Sequence, residues 1–272
     1  MAEQQLSRAE PLQPEGRLRV ATTTSLYDTG LWDCLEPVFE QKRGVQLDVL
    51  YAGTGIALEY GRRGDVDAIV VHSKKREQQF VAEGYGMERV PFAYNNFLIV
   101  GPADDPAGIE GMTPESAFGR LAEAGTSSFV SRGDDSGTHE KEKAIWKSAG
   151  YTEYETSRSA GGWYIEAGRG MGPTLLIASE KQAYTLSDMG TFLSYKGKID
   201  LVPVVDEGSV LLNVYSAIAC SPDKNPNVKH EMASSLVSFL TSPEIQELIG
   251  NYGTERYGLS LFTPCAGAEP QS

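Results

Sequence analysis

The segment Arg132-Gly133-Asp134-Asp135-Ser136-Gly137-Thr138, followed by His139 and the run Glu140 to Trp146, gathers one permanent cation, two hydroxyls and a glycine turn where a helix begins. Backbone N–H groups in the first turn of a helix have no partner within the helix, and the helix dipole favours negative charge there. Asp134, Asp135 and Ser136 are good N-cap types, Gly137 lets the backbone come close to a ligand, and Arg132 adds a planar fork of donors. The chemistry this implies is the capture of a small anion. The plainer reading is a surface helix capped by Asp135 or Ser136; a cap alone, however, has no use for an arginine six residues before Thr138.

The chain has 272 residues, 40% of them hydrophobic, enough for two lobes around sizeable cores. Its formal net charge of −13 argues against nucleic-acid binding. Lys74-Lys75-Arg76, the one compact basic cluster, reads as a solvated face at a helix start. An acidic protein that binds an anion has to do so through short-range hydrogen bonds and one or two fixed cations. His72, His139 and His230 are single and far apart, so no bare-cation metal site and no cofactor are expected. Cys34, Cys220 and Cys265 leave at least one thiol unpaired, with a Cys220–Cys265 bridge open. Residues 1–16 are polar, carry Pro11 and Pro14, and lack the apolar core of an export signal. That fits a cytosolic chain or a mature domain whose signal has been replaced. No stretch reaches the roughly 18 apolar residues of a membrane span.

The elements that would position Arg132 and its neighbours alternate between strand and helix. Leu18 to Ala21 reads as a buried strand, Gly30 to Arg43 as a helix kinked by Pro37, and Val45 to Tyr51 as the next strand. A helix over Ile56 to Arg63, a strand over Ala68 to Val71 and a helix over Lys74 to Gly84 follow. This βα repeat implies a parallel sheet with helices on its faces, in which ligands bind beyond the carboxyl ends of the strands. Those ends are Thr22-Thr23-Thr24-Ser25, Gly53-Thr54-Gly55 and His72-Ser73, rich in hydroxyls and free backbone. The apolar strand Phe92 to Val100 is the first crossover between lobes and Val210 to Ala219 the return; the helices Val228 to Phe239 and Pro243 to Gly250 close the chain. Two passages put the three strand ends opposite Arg132 to Thr138 across a cleft that can close by hinge bending.

The phrases LRVATTTSLYDTGL (Leu18 to Leu31), GTG (Gly53 to Gly55), VHSKK (Val71 to Lys75), SRGDDSGTHEKE (Ser131 to Glu142), GMG (Gly170 to Gly172) and AYTLSDMGT (Ala183 to Thr191) together resemble the tungstate-binding proteins of ABC importers over roughly residues 18 to 260. The resemblance implies an α/β, two-lobed type II periplasmic binding-protein fold. Each lobe is then a mainly parallel sheet with flanking helices, joined by a two-strand hinge. Lobe 1 comprises 18–91 with 206–262 and lobe 2 comprises 92–205, while 1–17 and 263–272 are flexible tails. It further implies a monomeric, non-enzymatic receptor, periplasmic or extracellular, that closes on tungstate or molybdate and delivers it to an ABC permease at the membrane. Position by position it places ligand contacts on Thr24, Ser25, Thr54, Ser73, Arg132 and Thr138, and the hydroxyl of Ser136 joins them. A tetrahedral dianion offers only acceptor oxygens, so a dry cleft of hydroxyls, N–H groups and one arginine suits it.

Two alternatives remain at this point. Arg132-x-Asp134-x-Ser136-Gly137-Thr138 also resembles the motif of phosphate-binding proteins, in which an inward-facing Asp134 would accept the proton phosphate retains; an outward-facing Asp134 acting as a cap would suit tungstate. An enzyme or sensor domain on the same scaffold is the other, with Asp134 and His139 for acid-base work. Of the remaining residues, His72 reads as a packed strand end, Trp163 and Tyr164 as core, Asn95 and Asn96 as loop residues rather than hinge anchors, and Arg169 as solvated. Asp188 reads as a cap or turn residue. Glu140 with Lys143, and Glu142 with Trp146, have ordinary helix-surface spacing.

Overall fold

The computed structural model describes residues 16–125, 128–151 and 162–270; residues 1–15 and 271–272 of the expected tails, and Gly161, lie outside them. Strand β1 (Gly16–Thr23) pairs in parallel with β2 (Val45–Ala52) and with β3 (Ala68–Val71). The register sets Thr23 opposite Ala52 and Thr22 opposite Val70, so the carboxyl ends of the three strands lie side by side. Successive side chains alternate between faces. Leu18, Val20, Ala68 and Val70 enter one apolar layer, while Ala21, Ile69 and Val71 enter another with Leu58 and Phe80. Burial on both faces explains the near-continuous apolar runs in these strands.

The helices that leave these strands are α1 (Thr24–Asp28), α2 (Leu31–Arg43), α3 (Thr54–Arg63) and α4 (Lys74–Ala82). Helix α1 begins where the sequence suggested only an open strand end: the Thr23 hydroxyl accepts the Leu26 N–H at 3.2 Å and starts the turn. Helix α2 continues through Pro37 without a break in its assignment.

Strand β4 (Val90–Gly101) serves two sheets. Val90 to Asn96 pairs antiparallel with β9 (Leu212–Ala219), which also lies against β3. Phe97 to Gly101 pairs instead with β7 (Thr185–Asp188) and β8 (Val202–Val205). The first lobe is therefore parallel around β1 and antiparallel where the two long connecting strands join it. In the second lobe, α5 (Pro114–Ala124), β5 (Phe129–Ser131), α6 (Gly137–Ser148), β6 (Tyr164–Glu166), α7 (Met171–Glu180) and α8 (Met189–Tyr195) surround the far half of β4. Phe97 and Ile99 pack with Phe118, Phe129, Trp146, Trp163 and Tyr184; Leu98 and Val100 pack with Met171, Leu175 and Phe192 on the opposite face. Trp163 is thus a core residue, as its aromatic character suggested, while Tyr164 is half-buried and packs against that core.

Helices α9 (His230–Leu240), α10 (Pro243–Asn251) and α11 (Thr254–Tyr257) return to the first lobe, and β10 (Thr263–Pro264) pairs with β4. Residues 263–267 are tied down rather than free: Cys265 N–H donates to Phe92 O and Gly267 N–H to Pro91 O, and the Gln246 amide oxygen accepts the Ala266 N–H. All three cysteines are free thiols, so the Cys220–Cys265 bridge does not form.

One polar pair sits inside the connecting strands. Asn95 is buried and stands opposite Asn213, whose Nδ2 donates to Asn95 Oδ1 at 3.0 Å and to Tyr215 Oη at 2.9 Å. Asn95 is therefore a buried strand residue and not the exposed loop asparagine expected from the sequence. Asn213→Ala leaves Asn95 and Tyr215 without their donor in a buried strand pair. Chemical denaturation is expected to show a loss of about 1 to 3 kcal/mol.

Candidate functional site

The loop before α6 turns through left-handed backbone at Gly133 (φ 58°) and Asp135 (φ 53°), a conformation Asp tolerates better than most residues. Ser136 is the N-cap, its Oγ accepting the His139 N–H at 3.3 Å. Asp134 spends both carboxylate oxygens locally, one on the Ser136 N–H (3.2 Å) and one on the Arg132 guanidinium. Arg132 is only 3% exposed; its Nη1 points at Thr138 Oγ1 (3.4 Å), and its Nε has no partner among the described residues. Asp134 and Thr138 thus aim a buried cation whose donors are not all used.

Behind this loop, Glu142 corrects the sequence reading. It is buried, and its carboxyl receives Tyr164 Oη at 2.8 Å, Ser131 Oγ at 2.9 Å and Trp146 Nε1 at 3.3 Å. Burial outweighs these donors and pushes its carboxyl up to about 7. Glu140 is not paired with Lys143 either. It accepts from Ser73 Oγ at 3.2 Å and pairs with Arg76 on α4, while Lys143 reaches Asp135 at 3.0 Å. Helix α6 is anchored on one side by a buried acid and on the other by contacts with the first lobe.

The facing wall comes from the three strand ends. Ser25 is buried, and its Oγ lies 2.8 Å from His72 Nε2 and 3.2 Å from Thr23 Oγ1. Thr54 opens α3 with a buried hydroxyl that has no partner among the described residues. Ser73 turns towards Glu140, and Thr24 is exposed, so these two stand at the edge of the group. The ring of His72 lies 5.0 Å from that of Tyr215 and rests on Gly137: a Cβ there would come within 2.7 Å of His72 Cε1. Only glycine lets the start of α6 approach so closely. Burial, with help from the nearby Arg132 and Lys141 charges, lowers His72 to about 4, leaving a neutral imidazole at pH 7.

A third wall was not singled out as a site in the sequence. Asp188 caps α8, its Oδ1 accepting the Thr191 N–H at 2.8 Å, while its buried Oδ2 has no partner among the described residues. Gly190 packs on Thr29, where a Cβ would fall 2.5 Å from Thr29 Cγ2, so the start of α8 also meets the first lobe. Burial raises the carboxyls of Asp28 and Asp188, and the charge of Arg132 opposes the shift in both. The Asp188-x-x-Thr191 spacing signalled a cap; its approach to α1 depends on tertiary contacts and left no local signal. Arg169 is exposed, as expected.

Ser25, His72, Gly137, Thr138 and Arg132 form a continuous line from one lobe to the other. With Thr54 and the N–H groups at the start of α6, it is a donor-rich, largely buried site suited to an anion that only accepts hydrogen bonds.

A model described as the PBP superfamily domain matches residues 9–244. The tungstate-binding protein TupA of Peptoclostridium acidaminophilum is 44% identical over 94% of this chain and 88% of its own length. The chain belongs to the PBP superfamily and, within it, to the TupA family. Two solved structures of the family extend the likeness to three dimensions. The tungstate binding protein TupA from Desulfovibrio alaskensis G20 superposes with a TM-score of 0.81 at 41% identity, over 92% of this chain and 99% of that one. The tungstate ABC transporter structure from Geobacter sulfurreducens gives 0.76 at 47% identity, over 87% and 98%. The TupA family thus accounts for the two-lobed α/β fold and the two connecting strands.

Glu142 provides a check on the platform beneath Arg132. Its folded-state carboxyl lies above the ordinary value of 4.5, so the folded protein holds a proton there that the unfolded chain releases. The group's contribution to stability is full below about 4.5 and falls as pH rises to about 7. Unfolding free energies measured across that window are expected to move in favour of Glu142→Gln relative to the parent as pH rises; parallel curves would contradict the assignment.

Proposed function

We propose that this protein is the substrate-binding component of an ABC importer and that it binds tungstate, with molybdate as the nearest competitor, between its two lobes. In this reading residues 18–91 with 206–262 form one jaw and 92–205 the other, and the protein works outside the membrane as a monomer that hands its anion to a permease. It performs no chemistry on the anion and needs no cofactor. Arg132, Thr54, Ser25, Thr138 and Ser136 supply the inner donors, and Thr24 and Ser73 stand at the rim.

The observation that carries this reading is the buried Arg132 with its unpaired Nε, together with the unpaired hydroxyl of Thr54. Buried donors without partners are costly, and an anion with oxygens on every side would satisfy them. Names borne by TupA relatives point to tungstate. Asp134 favours that choice over phosphate: each of its oxygens accepts a local hydrogen bond, one from Arg132 and one from the Ser136 N–H, as a cap and counter-charge would. His139 Nδ1 accepts the Asp135 N–H at 3.0 Å and Ser136 Oγ caps the helix, an arrangement that holds the loop and does not pair a base with a nucleophile.

Isothermal titration with tungstate, molybdate, sulfate and phosphate tests the reading. Tungstate and molybdate are expected to bind tightly and phosphate weakly; binding of phosphate alone would refute it. Arg132→Ala is expected to weaken tungstate binding by about 3 to 5 kcal/mol, because a buried anion is left without its charged partner. Arg132→Lys should recover only part of the loss, since an ammonium lacks the planar fork.

A further inference from the structure

A groove lies between α4 and α6, lined by His72, Ser73, Lys74, Lys75, Arg76, Glu140, Lys141 and Lys143 among others. Five of these residues are cations and one is a carboxylate, in a chain whose net charge is −13. Some of the positive charge is offset: Lys74 pairs with Glu269, Arg76 with Glu140 and Lys143 with Asp135. Among the described residues Lys141 donates to two main-chain carbonyls, those of Val210 (2.9 Å) and Leu212 (3.0 Å), and to no carboxylate, which leaves its charge unneutralised there. Lys75 is exposed and forms no ion pair among the described residues. The groove therefore remains positive after its ion pairs are counted.

It also leads inward. Its lining includes His72, which holds Ser25 and rests on Gly137, and the Arg76 guanidinium spans from Glu140 to the start of α3, where its Nη1 would lie 2.9 Å from a Cβ at Gly55, the residue after Thr54. A cation-lined groove bordered by both α4 and α6, with His72 in its wall, has a clear physical use. The acidic surface as a whole repels a dianion, and a local positive groove with low-dielectric walls reverses the field along one path.

We infer that the groove between α4 and α6 is the entry site for the oxyanion, with Lys75 and Lys141 drawing it from solution and Arg76 and Glu140 spanning the passage to the inner site. This rests on the anion-binding reading above and adds a distinct consequence: the groove sets how fast the anion arrives, and the inner donors set how long it stays.

Stopped-flow fluorescence of tungstate binding to the full chain tests this. Lys75→Glu should lower the association rate constant about threefold to tenfold at roughly 10 mM ionic strength, with the difference closing at roughly 300 mM and the dissociation rate unchanged. Lys181→Glu, an exposed change of equal charge outside the groove, should leave association nearly as in the parent. An equal fall in both variants would reduce the effect to net charge and overturn the proposal, and so would a change confined to dissociation. Unaltered association by Lys75→Glu together with impaired tungstate uptake in cells would assign the groove to the membrane partner and equally overturn it. If the parent binds no tungstate, the functional reading itself fails and the entry site with it; if the parent binds tightly and Lys75→Glu associates normally, only the entry site fails.

Discussion

A guanidinium taken out of water must keep its hydrogen bonds or destabilise the fold, and the architecture around Arg132 is arranged to meet that requirement. Asp134 supplies the counter-charge, Thr138 a second contact, and the left-handed turns at Gly133 and Asp135 bend the backbone so that both can reach. One donor, Nε, is left without a partner among the described residues, and the first lobe brings hydroxyls and a neutral imidazole close to the start of α6. Glu142 holds the helix behind the loop without adding a full negative charge near the site, since burial keeps its carboxyl largely protonated at acidic pH and partly so near 7.

The closeness of the lobes follows from two small residues. Gly137 rests on the His72 ring and Gly190 on Thr29, and at either position a side chain would hold the lobes apart. Both contacts lie at the beginnings of helices from the second lobe, so closure points their unpaired N–H groups towards the first. The two long connecting strands, β4 and β9, are joined at Asn95 and Asn213 by a buried polar contact. Such a contact holds the register of the connecting strands while the sheets on either side remain separate bodies, each with its own apolar layers. That division lets a fold close about a ligand without repacking its cores.

Charge is distributed on two length scales. Over the whole surface the excess of acids repels anions; within a few ångströms of Arg132, fixed donors dominate because screening and distance weaken the general field. The carboxyls of Asp28 and Asp188 belong to the short scale as well. Their charge limits how positive the buried region becomes, and burial in turn favours their protonated forms.

Much was legible in the sequence because it is local. The βα alternation, the strand ends rich in Thr and Ser, and the Arg132 to Thr138 phrase are short-range patterns, and the first three strands, their helices and the capped start of α6 formed accordingly. Ser25, Thr54, Arg132 and Thr138 are buried, whereas Thr24, beside Ser25, faces solvent. The orientation of Asp134 was undecidable from spacing, since a cap and an inward acid use the same residue at the same position; the fold turned it onto Arg132 and Ser136. Glu142 and Trp146 looked like an exposed helix pair because i, i+4 spacing does not say which face is buried; packing against Ser131 and Tyr164 decided it. His72, Asp188, Gly190 and Asn95 owe their positions to contacts between segments tens of residues apart or more, and no local pattern encodes such contacts. The sequence by itself determined which residues carry donors and which strands and helices bear them. Only the tertiary structure decided which of those donors are buried, paired or left open, because burial and pairing arise between segments and not within them.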